Sequence, residues 1–450
     1  MNYDVAIIGG GPGGYVCALE AAAYGLKTAL IEKDLLGGTC LNRGCIPTKT
    51  LLFAGALLEN TRHGKTFGIA AGEVRADYEA LRARMAEVTG QLRGGIAKLL
   101  KQKKVDVYSG EGHVVDPHTV TVTSAEGTVT LTTEHLVLAT GSVPALPPIP
   151  GAKEVGVYTS DTLLSDLPEL SRLVIIGGGV IGCEFAEVYR AFGAQVTVIE
   201  AMPRILPPME TDLARHLAAD FRKKGIKVIA KASVKEIRRE NGVLTVRCAL
   251  GNSEEILETD GVLIATGRRV NTKDLTPFAL SENRGRLIVN KQCETSVPGV
   301  YAIGDIADGL PQLAHAAEAQ GKIAAAAIAG KPCAIRTDLI PSVVYTRPEL
   351  AAVGLTEDEA KAKGIKVKTV KAMMGANAKS LIAGVGGYIK LLLGEEGRIL
   401  GAAFQCEEAS NLVSETTLAI AAGMTAKEFA AIIRPHPSVE EALGEAAENG

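Results

Sequence analysis

Two cysteines stand five residues apart in the segment Gly37-Gly38-Thr39-Cys40-Leu41-Asn42-Arg43-Gly44-Cys45-Ile46-Pro47-Thr48-Lys49. Thiols at that spacing suit reversible disulfide chemistry or metal ligation. On a regular helix their Cα atoms would stand about 7.5–9 Å apart from rise and radius alone, beyond the roughly 4.4–6.8 Å of a disulfide. A bond therefore requires a distorted helix, and Gly44 and Pro47 are residues that ease distortion. The metal reading is poor, because no second Cys/His pair has suitable spacing; two buried free thiols is the other alternative. A second chemically promising residue is His436, held between Pro435 and Pro437, which restrict its backbone; the alternative is an ordinary loop histidine. A fixed imidazole suits general-base work on a thiol, since the thiolate is the reactive sulfur species and imidazole titrates in the useful range. Glu441 could hold the imidazole tautomer, but Ser438 and Glu441 also have capping-box spacing, so Glu441 reads equally as a helix cap.

The elements that must position these residues include an internal duplication. Ala6-Ile7-Ile8-Gly9-Gly10-Gly11-Pro12-Gly13-Gly14, an Ala-rich helical stretch and Lys27 to Glu32 recur as Val174 to Gly182, a helical stretch and Gln195 to Glu200, at a constant offset of 168 residues. Each copy reads strand, Gly-rich turn, helix, strand, acid. In such a unit the first glycine permits the tight turn, the second admits a pyrophosphate and the third allows close helix–strand packing. The helix N-terminus then faces the phosphates, and the acid meets ribose hydroxyls. Gly9, Gly11, Gly14 and Glu32 thus form one candidate dinucleotide site, and Gly177, Gly179, Gly182 and Glu200 a second. Glu200 would repel a 2′-phosphate and favours NAD over NADP. Two sites in series suggest a flavin and a nicotinamide. Companion runs close the copies at Ala139-Thr140-Gly141 and Ala265-Thr266-Gly267, and Pro144 to Pro150 reads as a linker. Asp305, after an apolar run, is either a turn residue or a partner for a hydroxyl such as flavin ribitol. Gln312, Leu313, Ala314 and His315 open another Ala-rich helix, whose dipole would stabilise an anionic reduced flavin ring.

Composition sets the bounds. The chain has 450 residues, 48 basic and 51 acidic groups, 50 Gly and 8 Cys. The cysteines are too sparse for a disulfide scaffold, and the charge is too balanced for nucleic-acid binding by phosphate neutralisation. No apolar run reaches the roughly 18 residues of a membrane span. The start, Met1-Asn2-Tyr3-Asp4, lacks the marks of a targeting segment, so a cytoplasmic location with reduced thiols is expected. A third region from about Leu339 shows short strands (Ser342 to Tyr345, Tyr388 to Leu393, Ile399 to Phe404) and capping-box pairs at Thr356/Glu359 and Thr425/Glu428.

Taken in order, the two nucleotide folds, the cysteine segment, Ala302-Ile303-Gly304-Asp305, Leu313-Ala314-His315, Tyr345-Thr346-Arg347-Pro348-Glu349 and His436-Pro437-Ser438 resemble the class I flavoprotein disulfide reductases over essentially the whole chain. Within that family the chain resembles the branch that oxidises dihydrolipoamide with NAD. The resemblance implies an α/β chain of two Rossmann-like domains, for FAD and NAD, plus an α+β C-terminal dimerisation domain. The implied divisions are 1–149 (FAD), 150–270 (NAD), 271–338 (FAD and central region) and 339–450 (interface). It implies a redox-active disulfide in which Cys40 is the interchange thiol and Cys45 lies against the flavin. Lys49 would stand near the flavin and pair with Glu184; Gly112 and Ala139, Thr140, Gly141 and Ser142 would line the FAD site. His436 with Glu441 would act across a homodimer interface on the other subunit's cysteines. Implied partners are the lipoyl domains of 2-oxoacid dehydrogenase or glycine cleavage complexes, with no nucleic acid and no membrane. Glu200 argues against the NADP-preferring glutathione reductases, and the C-terminus lacks the cysteine pair of mercuric reductases. Arg43, Thr48, Ser438 and Cys406 depart from the usual residues. The alternatives are an NAD-linked reductase of another small disulfide, and a flavin-containing redox sensor or assembly subunit.

Overall fold

The computed structural model describes every residue except Asp274. Its first sheet is built on the strand Asn2–Ile8, which pairs in parallel with Thr28–Glu32 and with the C-terminal half of Gly127–Leu138. Asp106–Ser109 and Val300–Ala302 extend the parallel set on either side. Central residues Val5, Ala6, Ile7, Ala29 and Leu30 are fully buried, as expected of parallel strands covered on both faces. Strands Glu111–Asp116 and Thr119–Ser124 continue the sheet antiparallel. The second unit repeats the plan: Lys227–Ala230, Gln195–Glu200, Arg172–Ile176, Gly261–Ile264 and Val157–Thr159 lie side by side in parallel. A three-stranded antiparallel sheet, 232–259, accompanies it.

The helices that matter for the site are α1 (Pro12–Ala23), α2 (Gly38–Arg43), α3 (Cys45–Arg62), α4 (Tyr78–Gln102), α5 (Ser160–Asp166), α6 (Val180–Ala191), α7 (Thr211–Lys223) and α8 (Ala314–Ile328). Small residues let α1 and α8 pack backbone to backbone. A Cβ on Gly321 would stand 2.5 Å from the Gly13 carbonyl oxygen, and one on Gly13 would stand 3.1 Å from that of Ala317. This contact brings the start of α8 beside the first glycine turn.

The stretch Pro144 to Pro150 is not wholly a linker. Ser142–Pro144 pairs antiparallel with Arg268–Val270, so the chain leaves the first unit and returns to it along one two-stranded ribbon. The third region is a five-stranded antiparallel sheet in the order Ser342–Val344, Glu349–Gly354, Ile399–Cys406, Tyr388–Leu393, Lys368–Met373. Its first strand ends one residue earlier than the sequence pattern indicated. Both capping boxes form, at Thr356 with Glu359 and at Thr425 with Glu428.

Candidate active site

One cleft of about 2330 Å³ runs from the first glycine turn past the cysteines to the second. It is lined by Gly9, Gly11, Glu32, Cys40, Cys45, Lys49, Gly112 and Ala139 to Ser142 on one side, and by Gly177, Gly179, Glu184, Glu200 and Gly267 on the other. Asp305 and Gln312 to His315 also face it. Gly14 and Gly182 do not; each lies beneath its turn, where a Cβ would collide with the carbonyl oxygen of Gly9 or Gly177. Gly9 and Gly177 share a φ of 109°, a left-handed conformation suited to glycine.

The middle glycines, Gly11 and Gly179, are different. A Cβ on Gly11 would find only the Gly38 Cα, at 3.9 Å, and one on Gly179 would find nothing within 4 Å. Open space there is what a close-approaching phosphate requires. Helices α1 and α6 start at these residues with no side-chain cap, leaving their first N–H groups free for an anion. Each acid is aimed by backbone amides. Glu32 accepts from Gly10 N at 2.7 Å and Asp34 N at 2.8 Å; Glu200 accepts from Gly178 N and Met202 N, both at 2.7 Å. Burial raises the Glu32 pKa above the usual carboxylate value. These cradles fit two dinucleotides. Arg204, the nearest cation following Glu200 in sequence, donates its guanidinium to the carbonyls of Leu206, Pro207 and Met209. It is thus engaged in holding its own loop.

The cysteines sit at a helix break. Cys40 lies in α2 and Cys45 opens α3, with Gly44 between them at φ −146°, ψ −114°. A Cβ on Gly44 would stand 2.9 Å from the Thr39 carbonyl oxygen, so glycine is what lets the two turns close on each other. Asn42 fixes α2 through Nδ2 to the carbonyls of Leu36 (3.0 Å) and Gly38 (2.9 Å), and accepts from Arg93 at 3.0 Å. Both cysteines are free thiols, and each acts on the other's ionisation: the Cys45 sulfur, with burial, raises the Cys40 pKa. The Cys40 sulfur lowers that of Cys45 against the effect of burial, and the nearby Lys49 ammonium adds to the lowering.

Lys49 Nζ bonds both carboxylate oxygens of buried Glu184, at 2.9 and 2.8 Å. Burial lowers the Lys49 pKa, but the charge and hydrogen bonds of Glu184, with Cys45 and Tyr345 nearby, together outweigh it and raise it. Sequence reasoning did not single out Tyr345 or Arg268. Tyr345 donates its N–H to Glu184 at 3.1 Å and lays its ring 4.5 Å from Lys49 Nζ; its signal was the Tyr-Thr-Arg-Pro-Glu run. Arg268, directly after Gly267, donates to Ser142 Oγ and O, both at 2.7 Å, while Ser142 Oγ donates to Asp305. Asp305 is therefore a fixed acceptor on the cleft wall. His315 Nε2 pairs with the Pro341 carbonyl at 2.9 Å.

His436 and Glu441 do not line this cleft. The imidazole is largely exposed at the far end of the chain, with Nδ1 2.8 Å from Glu441 Oε1. A carboxylate accepts only, so Nδ1 carries the proton and Nε2 is left free as a base. Glu441 Oε2 also accepts from Ser438 N at 2.9 Å. The expected capping box does not form: the last helix is Glu441–Glu448 with Glu440 as its N-cap, and buried Ser438 Oγ has no partner. Glu441 thus both orients the imidazole and ties down the turn.

The pyridine nucleotide-disulphide oxidoreductase profile matches residues 3–321, and that of the family's dimerisation domain matches residues 340–447. The chain belongs to this family. Among its relatives, a dihydrolipoyl dehydrogenase of Bacillus subtilis is 40% identical over 455 residues, covering 100% of this chain and 96% of the relative. One from Geobacillus stearothermophilus matches to the same extent. Among solved structures, LpdA from Mycobacterium tuberculosis superposes with a TM-score of 0.91 at 26% identity, over 99% of this chain and 98% of its own. The HOCl-induced flavoprotein disulfide reductase RclA from Escherichia coli gives 0.87 at 29% identity, over 99% of each chain.

Proposed function

We propose that the chain is an FAD-dependent dihydrolipoyl dehydrogenase, and that NAD is its substrate rather than a resident cofactor. The observation that carries this reading is the thiol pair at a glycine-made helix break, with Lys49–Glu184 beside it, in a cleft between two phosphate-ready turns. Gly9, Gly11, Glu32, Lys49, Gly112, Ala139 to Ser142, Asp305 and Gln312 to His315 would hold FAD, with Gly14 packing beneath the first turn. Gly177, Gly179, Glu184, Glu200 and Gly267 would serve NAD, with Gly182 packing beneath the second turn. FAD, when bound, would supply two-electron transfer between the reduced cysteine pair and NAD.

The chain's own groups do the thiol chemistry. In the oxidised enzyme Cys40 and Cys45 are bonded. His436 from a second copy takes the proton from one substrate thiol, and the thiolate attacks Cys40 Sγ, expelling Cys45 as thiolate. The second substrate thiol then attacks the substrate sulfur of the mixed disulfide, releasing the cyclic disulfide and leaving Cys40 reduced. The net result is two electrons and two protons taken from the dithiol. A base on another copy fits a homodimer, formed through the region 339–450, with the FAD unit at 1–149 and 271–338 and the NAD unit at 150–270. Lipoyl domains of 2-oxoacid dehydrogenase or glycine cleavage complexes are the proposed partners.

Steady-state turnover of dihydrolipoamide with NAD is the direct test, run beside NADP and glutathione disulfide. Negligible dihydrolipoamide oxidation by FAD-loaded protein would refute the assignment. Glu200→Gln should lower kcat/KM for NAD by about 10–100-fold, the scale of a lost hydrogen bond to a charged group, while NADP gains relative to NAD. An unchanged NAD/NADP ratio would refute the role of Glu200.

A further inference from the structure

The Lys49–Glu184 pair lies on two helices, and neither helix alone fixes its geometry. Lys49 is carried by α3 and Glu184 by α6. Both are gripped by the short segment between the strands Ser342–Val344 and Glu349–Gly354. Tyr345 takes Glu184 through its N–H and covers Lys49 with its ring. Two residues on, Arg347 Nη1 reaches α3, donating to Asn60 Oδ1 at 2.5 Å and to the Ala56 carbonyl at 3.4 Å.

The carbonyl of Arg347 is held in turn by Lys224 Nζ at 2.6 Å. Lys224 forms an ion pair with buried Glu187, which lies one turn beyond Glu184 on α6. Residues three apart on a helix share a face. Hence Glu184 holds Tyr345 directly, while Glu187 holds Arg347 through Lys224.

We propose that Arg347, held by the Lys224–Glu187 pair, is a positioning residue for Lys49–Glu184, locking α3 and α6 to the strand end that carries Tyr345. The cation beside Cys45 is then set by a residue that touches neither thiol. The inference rests on the proposed role of Cys45 as a working thiolate.

The test is made in a Cys40→Ser background, where Cys45 cannot form the disulfide, with FAD-loaded dimer. Cys45 ionisation is followed by long-wavelength absorbance against pH and, independently of the flavin, by its rate of alkylation with iodoacetamide. Added Arg347→Ala, and separately the charge-neutral pair Glu187→Gln with Lys224→Met, should each slow alkylation below the thiolate pKa by about three- to tenfold. This corresponds to an upward shift of half to one pKa unit. Arg347→Lys should recover part of the loss, and Lys49→Met should show the largest effect. Arg347→Ala and the double variant both titrating with the parent, while Lys49→Met shifts, would overturn the positioning role alone. Lys49→Met leaving Cys45 unmoved would overturn both this inference and the placing of Lys49 at the working thiol.

Discussion

Cys40→Ser is expected to abolish dihydrolipoamide oxidation, by about 10⁴-fold or more as for loss of the residue that bonds the substrate covalently, yet to show long-wavelength absorbance without any substrate. Cys45→Ser should lose both the turnover and the absorbance. The asymmetry follows from the order of the segment: Lys49 stands one turn beyond Cys45 on α3 and lowers its pKa, while burial raises that of Cys40. In the proposed relay Cys45 is therefore the thiolate and the better leaving group in thiol–disulfide exchange, which directs substrate attack to Cys40. Because Lys49 still lowers its pKa, Cys45 in the Cys40→Ser protein should keep alkylating as pH falls below the ordinary thiol range. In Cys45→Ser, burial alone should make Cys40 slow at higher pH. Stopped-flow spectra and alkylation rates measure both. Retention of full lipoamide turnover by either variant would eliminate the relay, and equal pH profiles for the two thiols would eliminate the asymmetry. His436→Gln supplies the contrast: loss of about 10²–10⁴-fold in thiol oxidation, the range for a general base, with NADH-to-dye transfer largely spared.

Much of this site was legible because its signals are local. A strand, three glycines and an acid 23 residues beyond the first glycine specify a turn whose geometry repeats at Gly9 and Gly177 down to the same φ. The need for a broken helix between Cys40 and Cys45 followed from rise and radius, and the break falls at Gly44. The role of Glu441 was not decidable from spacing, since the same spacing serves a cap and an orienter; the helix starting at Glu441 and the orphaned Ser438 hydroxyl rule out the capping box, while the bond to His436 stands. Other features were illegible because they join distant segments. The parallel edge of the first sheet comes from Val300–Ala302, after the second unit, whereas the equivalent edge of the second comes from Val157–Thr159, before it. Arg347 meets Asn60 across 287 residues, and no periodicity reports such a contact.

Lys390 carries the largest expected effect on stability. It lies in the strand Tyr388–Leu393, whose six residues are all buried, and its own side chain is fully enclosed. A lysine is rarely so placed unless paired. Its ammonium forms an ion pair with buried Glu210 at the start of α7 and lies 3.5 Å from Asp212 and 3.6 Å from Glu357. The cluster thereby joins the second nucleotide unit to the C-terminal sheet. Removing one partner of a buried pair strands the other charge, at a cost of about 3–5 kcal/mol, whereas removing both together is often nearly neutral. Lys390→Met should therefore destabilise the loaded dimer by about that amount, and Glu210→Gln combined with Lys390→Met should recover most of it. Burial already raises the Glu210 pKa despite the lysine, and without the lysine it should rise further. The folded variant then keeps a proton that the unfolded chain releases, so its deficit should widen as pH rises from the ordinary carboxylate range through that raised pKa. Denaturant midpoints serve for comparison, supported by inactivation half-lives because a multidomain dimer need not unfold in two states. If Lys390→Met unfolds with the parent at neutral pH, the cluster is not a structural tie; if the double variant is no better than the single, the loss is one of packing and not of charge.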